Sequence, residues 1–214
     1  MSVRRATPSS DGRNKCRMAG NKCRMGKGGV RSLVGLLVTA TATTAASLFA
    51  GCSNSDDSPT PPRSLPGVIT VSSHAFGDGQ QIPPAYTCDG AGISPPLRWS
   101  GLPAATGSIA IVVDDPDAPG GTFVHWVVAD ISPGVSRIGP GEVPEGGVEV
   151  TNSSRAKSYF GPCPPSGTHH YRFSVYALPR GGRVPADASM DDALTGIYDH
   201  AIASGRVVGL YTST

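Results

Sequence analysis

Short apolar runs separated by glycine- and proline-rich segments dominate the second half of this chain, which predicts strands. Ile109-Ala110-Ile111-Val112-Val113, preceded by Ser108, is continuously apolar, the pattern of a strand buried on both faces. Val68-Ile69-Thr70-Val71, His125 to Ile131, Tyr171 to Leu178 and Val207-Val208-Gly209-Leu210-Tyr211 read as further strands. One segment has the helical period instead: Leu194, Ile197, Tyr198, Ala201 and Ile202 recur on one face. Ser189 stands where an N-cap belongs, Asp191 and Asp192 fall in the first turn, and Gly205 reads as the stop. Strands first and a helix late predict a mainly β domain with a peripheral helix near the C-terminus.

The first third has a different character. Leu33 to Ala50 is an uncharged run behind Arg24, Lys27 and Arg31, and it ends Leu48-Phe49-Ala50-Gly51-Cys52. That is the architecture of a secretory signal. The small pair Ala50-Gly51 before Cys52 resembles the lipobox at which bacterial prolipoproteins are lipidated and cleaved. Residues 1–51 are therefore expected to be a signal peptide, with lipid on Cys52 anchoring the protein to the outer face of the cell membrane. An uncleaved membrane anchor and simple secretion are the other two readings, and all three place the domain outside the cytoplasm. Asn-Lys-Cys-Arg-Met occurs at 14–18 and again at 21–25, and a start at Met18 or Met25 gives a leader of ordinary length. Residues 52–66, rich in Ser, Asp and Pro, read as an extended tether, and 67–214 as one folded domain.

Charge changes the picture once it is divided at Cys52. Nine of the 18 Lys and Arg lie at or before Arg31, whereas 15 of the 16 acids lie beyond Cys52. The exported part is thus acidic, which argues against nucleic acid as a partner, since phosphate contacts need a basic face. Of five cysteines, only Cys88 and Cys163 fall within the folded domain. Two cysteines in an oxidising compartment suggest one disulfide, with two buried free thiols as the alternative.

Candidate chemistry concentrates in two segments, Asp114 to Trp126 and Gly161 to Tyr171. Acids, prolines and glycines directly after an apolar strand make a rigid loop at its end. Alternation along strands sends His125 and Trp126 to opposite faces, and puts His169 with Tyr171 on one face and His170 on the other. His169 and His170 are then no chelating pair, and Trp126 and His170 face away from any cavity shared by the rest. Two histidines and a tyrosine rimmed by glycine backbone suit a phosphate, sulfate or carboxylate. No motif for a metal or cofactor is present. A G-x-S-x-G elbow and an H-E-x-x-H helix are both lacking, and no serine or thiol is placed as a nucleophile.

DPDAP at 115–119 followed by His125-Trp126, then GPCPPSGTHHYRFSVYAL from Gly161, resembles the two signature blocks of the phosphatidylethanolamine-binding protein (PEBP) family. The likeness is greatest to its bacterial YbhB/YbcL-like branch, related to Raf kinase inhibitor protein. IPPAYTCDGAGISPPLRWSGLP at 82–103 and HAIASGRVVGLY at the end support it, so that it covers essentially all of 68–211. The resemblance implies an antiparallel β-sandwich with a C-terminal helix and an anion pocket at one end. It assigns to that pocket Asp115, Pro119, His125, Gly161, Cys163, His169 and Tyr171. It also implies cysteines at both the 88 and 163 positions. His170 departs from the Arg often found there, and the eukaryotic insertion before the histidine is replaced by the short turn Gly120-Gly121-Thr122.

These observations favour an exported lipoprotein that binds a small anion, a phosphate or a phospholipid head group, as a binding or regulatory module. A hydrolase using the Asp/His cluster and a protease inhibitor are the alternatives. Nothing in the sequence identifies a protein partner. Within the pocket, Asp115 is expected to orient and charge a neighbouring histidine, so that anion affinity strengthens as pH falls through neutrality.

Overall fold

The computed structural model describes residues 67–185 and 187–212. The expected signal peptide (1–51), the lipidation candidate Cys52 and the expected tether (52–66) lie outside the described residues. The strands are β1 (Gly67–Val68), β2 (Thr70–Ser72), β3 (Gln80–Gln81), β4 (Leu97–Ser100), β5 (Thr106–Asp115), β6 (Phe123–Ile131), β7 (Arg137–Ile138), β8 (Val148–Val150), β9 (Thr168–Pro179) and β10 (Ala203–Thr212), with helix α1 (Met190–His200) before the last. The large sheet runs β1-β10-β9-β5-β6-β8 with β3 also on β10, and the small sheet is β2-β4-β7. The long strands pair antiparallel, while β1 and β3 add to β10 in parallel.

The continuous apolar run in β5 follows from its place in three layers. Ile109, Ile111 and Val113 face the small sheet and join Leu97, Trp99 and Ile138 in one core. Ala110 and Val112 face the other way, into a second core with Leu194, Ile197 and Tyr198 of α1. Each large aliphatic side chain buried this way contributes about 1.5–3 kcal/mol. A strand covered on one side only would alternate.

Val68 to Val71 is not one strand. Gly67 and Val68 pair with Ala203 and Ser204 of the large sheet, whereas Thr70 to Ser72 pair with the small sheet. Between them Ile69 is buried, and its N–H donates to the Ser204 carbonyl at 2.9 Å. The chain thus changes sheets at Ile69 and closes one edge of the sandwich.

Helix α1 is capped as its sequence predicts, with Ser189 Oγ accepting the Asp192 N–H at 3.1 Å. Its end differs. The helix closes at His200, with the Ala201 N–H on the Ile197 carbonyl, and Gly205 lies in β10 rather than acting as the stop. A Cβ at Gly205 would sit 1.7 Å from the Ile69 carbonyl oxygen, so glycine is needed there because the crossing chain lies against β10. A disulfide joins Cys88 to Cys163 with Cα atoms 5.4 Å apart, and the Cys88 N–H donates to the Pro162 carbonyl.

Candidate functional site

Three neighbouring strands bring four polar side chains to one end of the sandwich. Asp115 ends β5, His125 lies near the start of β6, and His169 and Tyr171 open β9. All four are buried, with exposures of 3%, 3%, 7% and 0%. Asp115 Oδ2 accepts from His169 Nδ1 at 2.7 Å, and Asp115 Oδ1 accepts the Asp117 N–H at 2.9 Å. The His125 ring stands edge-on to Tyr171 at 5.2 Å, and the His169 ring lies 6.4 Å from the same tyrosine.

The hydrogen bonds fix the tautomers. His125 Nδ1 is 2.7 Å from the Phe160 carbonyl, which can only accept, so Nδ1 carries the proton. His169 Nδ1 donates to the Asp115 carboxylate by the same logic. Both imidazoles, when neutral, are left with a bare Nε2. Burial pushes the His125 pKa down, against the opposing pull of the Phe160 carbonyl and of the charges on Asp115 and Asp114. Tyr171 behaves differently. Burial, and then the charge of Asp115, pushes its pKa well up, so the hydroxyl keeps its proton. That hydroxyl is shut off from solvent and forms no hydrogen bond of acceptable geometry, although Asp115 and the Cys163 backbone are its neighbours.

The remaining residues of the sequence assignment lie around this group. Gly161 packs against the Thr87 backbone, where a Cβ would be 3.1 Å from the carbonyl carbon, and Cys163 follows it in the bridged loop. Pro119 lies on the exposed part of the β5–β6 loop, outside the buried group. His170 is exposed, and its backbone N–H and Nδ1 both donate to Asp117 Oδ2, at 2.8 and 2.7 Å. Two aspartates of one loop therefore hold two adjacent histidines, one inside and one outside. The His170 hydrogen bond is the main cause that holds the Asp117 carboxyl below the usual range.

One expectation from strand alternation fails. His125 and Trp126 do not point to opposite sides. Val113 pairs with Trp126 but Asp114 pairs with Val124, so His125 is an extra residue in β6, a bulge. Val124 and Val127 face α1, while Trp126 joins the core between the sheets and His125 meets Tyr171 of that same core. Trp126 nevertheless packs away from the group, edge-on to Tyr159 with Nε1 donating to Glu149.

Sequence reasoning missed the residues that hold His125. Buried Asn152 donates from Nδ2 to the His125 and Ser158 carbonyls, and so folds the loop that delivers the Phe160 carbonyl. Phe123 and half-exposed Phe160 flank the His125 ring at 4.8 and 5.8 Å. These contacts join positions 27 and 35 apart in the chain, and Asn152 and Phe160 both lie outside strands and helices, where no periodic signal exists.

Comparison with known proteins matches residues 72–212 to the model of the family described as phosphatidylethanolamine-binding protein. A Mycobacterium tuberculosis protein named "Putative lipoprotein LppC" is 46% identical over 145 residues, covering 67% of this chain and 72% of that protein. A UPF0098 protein of Methanothermobacter thermautotrophicus is 42% identical over 148 residues, covering 67% of this chain and 98% of its own length. Among solved structures, Escherichia coli YbcL, described as a new member of the mammalian PEBP family, superposes with a TM-score of 0.62 at 32% identity, covering 68% of this chain and 99% of that one.

Proposed function

Because the chain belongs to the phosphatidylethanolamine-binding protein family, we propose that it is an exported lipoprotein, anchored through Cys52, that binds a small phosphate- or carboxylate-bearing anion at Asp115, His125, His169 and Tyr171. The observation that carries the site reading is the burial of Asp115, His125, His169 and Tyr171 together, with the Tyr171 hydroxyl lacking a well-formed hydrogen bond although Asp115 and the Cys163 backbone lie beside it. A buried polar group left unpaired costs about 1–3 kcal/mol, which a ligand oxygen would relieve. The two bare Nε2 atoms define the rest of the chemistry. They accept from a ligand that carries its own proton, such as hydrogen phosphate or a phosphomonoester monoanion, or they take up a proton on binding. A bare dianion would meet the Asp115 carboxylate and two lone pairs.

Support for anchoring comes from the leader and the Ala50-Gly51-Cys52 sequence, together with the lipoprotein name of a relative 46% identical. Titration calorimetry with phosphate and phosphoethanolamine tests the site. Tyr171→Phe and His169→Ala should each weaken binding about tenfold or more, and wild-type affinity in both variants overturns the reading. Cys52→Ala should move the protein from the membrane fraction to the soluble exported fraction, and unchanged fractionation without labelled palmitate in the wild type overturns anchoring.

A further inference from the structure

A concave feature lies at the far end of β9 from His169 and Tyr171, roughly 30 Å away along the strand. It is a cleft of 340 Å³ between the turn that follows β9 and the last turns of α1. Its ionisable lining is basic throughout: Arg180, Arg183 and His200. That runs against the composition, because residues 67–212 hold eight Lys and Arg against 13 acids. Among the described residues, the acids that form ion pairs are Asp114, Asp115 and Asp117, and none of them engages Arg180 or Arg183. Two arginines that form no ion pair among the described residues thus line one cleft on an acidic domain, although Arg183 also borders an adjoining pocket lined by Asp130.

Gly196 forms part of the helix-side wall of this cleft. It sits inside α1, where glycine weakens a helix relative to alanine. Packing does not require it, since an added Cβ would meet nothing within 4 Å. It lines the cleft, and its missing side chain keeps that wall open. His200 on the same rim is held by a 2.9 Å bond from Nδ1 to the Gly196 carbonyl.

We propose that this cleft binds the phosphate group of an anionic phospholipid head group, through the guanidiniums of Arg180 and Arg183. The planar N–H fork of arginine matches phosphate oxygens and takes two at once. The source follows from topology. Gly67, the first residue of β1, pairs with Ala203, three residues past His200, so the segment bearing Cys52 joins the fold at the cleft's end of the sandwich. This choice of source rests on the anchoring proposed above, whereas the phosphate chemistry of the cleft does not. Head groups of the anchoring bilayer held here would turn the Asp115–His169 end outward, toward ligands arriving from solution.

Calorimetry on the full chain purified from its host tests this, with two probes at fixed ionic strength: inorganic phosphate, and dihexanoyl-phosphatidylglycerol below its micellar concentration. The protein is compared with Arg180→Glu/Arg183→Glu, with Gly196→Leu, which fills the cleft while favouring the helix, and with His169→Ala. The expected result is that the lipid binds more tightly than phosphate, that both cleft variants weaken it about tenfold or more, and that His169→Ala leaves it intact. Wild-type affinity for both probes in the two cleft variants overturns the proposal, and Gly196→Leu alone decides it if the double variant does not fold. Loss of all binding in His169→Ala also overturns it while sparing the reading of the other site. If the cleft variants lose the lipid and one of two phosphate-binding events, but the lipid binds the wild type no better than phosphate, the head-group source is overturned and an ordinary phosphate site stands in its place.

Discussion

Asp115 accepts the Nδ1 proton of His169 across 2.7 Å, and both side chains are buried at the end of the sandwich. The carboxylate therefore fixes both the tautomer and the ring orientation of His169. Asp115→Asn keeps an oxygen that can accept from Nδ1 but removes the charge. Phosphate affinity near neutral pH should fall in this variant although a negative charge has been deleted, and tighter binding at every pH from 5 to 8 would refute the arrangement. Asp115→Ala should in addition lower stability by about 1–3 kcal/mol in urea unfolding, by leaving the His169 N–H unpaired inside the protein.

Two glycines should respond in opposite senses. Gly196→Ala places a methyl in open space on a helix and should stabilise the protein by about 0.5–1 kcal/mol. Gly205→Ala drives a methyl into the Ile69 carbonyl at the sheet crossing and should destabilise it by more than that, with a lowered thermal midpoint. Equal effects of the two substitutions would mean that the chain does not cross from sheet to sheet against β10.

Gly205 also shows where the sequence was legible and where it was not. The apolar run of β5 could be read because burial on two faces leaves a mark on every residue, and the Ser189 cap because capping is local. His169 and Tyr171 could be placed on one face because β9 is regular there. The bulge at His125 left no such mark. It arises from how Asp114 and Val113 pair across the sheet, and nothing in Phe123-Val124-His125-Trp126 signals it. Gly205 looked like a helix stop because a glycine after a helix usually is one. Its actual reason lies in Ile69, more than a hundred positions earlier, where only the folded chain brings the two together. Asn152 and Phe160 were silent for the same reason.

The Cys88–Cys163 bridge closes a separation of 75 residues and ties the loop after Pro84 to the loop beside Tyr171. Removing it frees the unfolded chain, and Cys88→Ala/Cys163→Ala should cost about 2–5 kcal/mol in denaturant unfolding. Because Cys163 backbone neighbours the Tyr171 hydroxyl, phosphate binding should weaken as well. A double variant with wild-type stability would show that the folded chain holds these loops without the bond.

His125 makes the acid limb of stability diagnostic. Its pKa is lowered in the folded protein, with burial as the largest cause. In the unfolded chain the ring takes a proton near the ordinary value of 6.5. Between that value and the lower folded one, the unfolded state binds more protons than the native state, so acidification favours unfolding. The contribution of His125 is fully present above pH 6.5 and is lost as pH falls toward the folded pKa, with a slope of at most about 1.4 kcal/mol per pH unit for one proton. Asp117, also lowered, acts in a separate and more acid window, below its ordinary 3.8. Replacing His125 by Asn retains a donor toward the Phe160 carbonyl and removes the titration, so the slope between pH 6.5 and 5 should flatten. A bound anion stabilises the protonated ring and so raises its pKa. Saturating phosphate should therefore protect the wild type against acid more than it protects His125→Asn, as read from urea midpoints across that range. An unchanged slope in His125→Asn, with or without phosphate, would show that another group titrates there and that Nε2 of His125 does not meet the ligand.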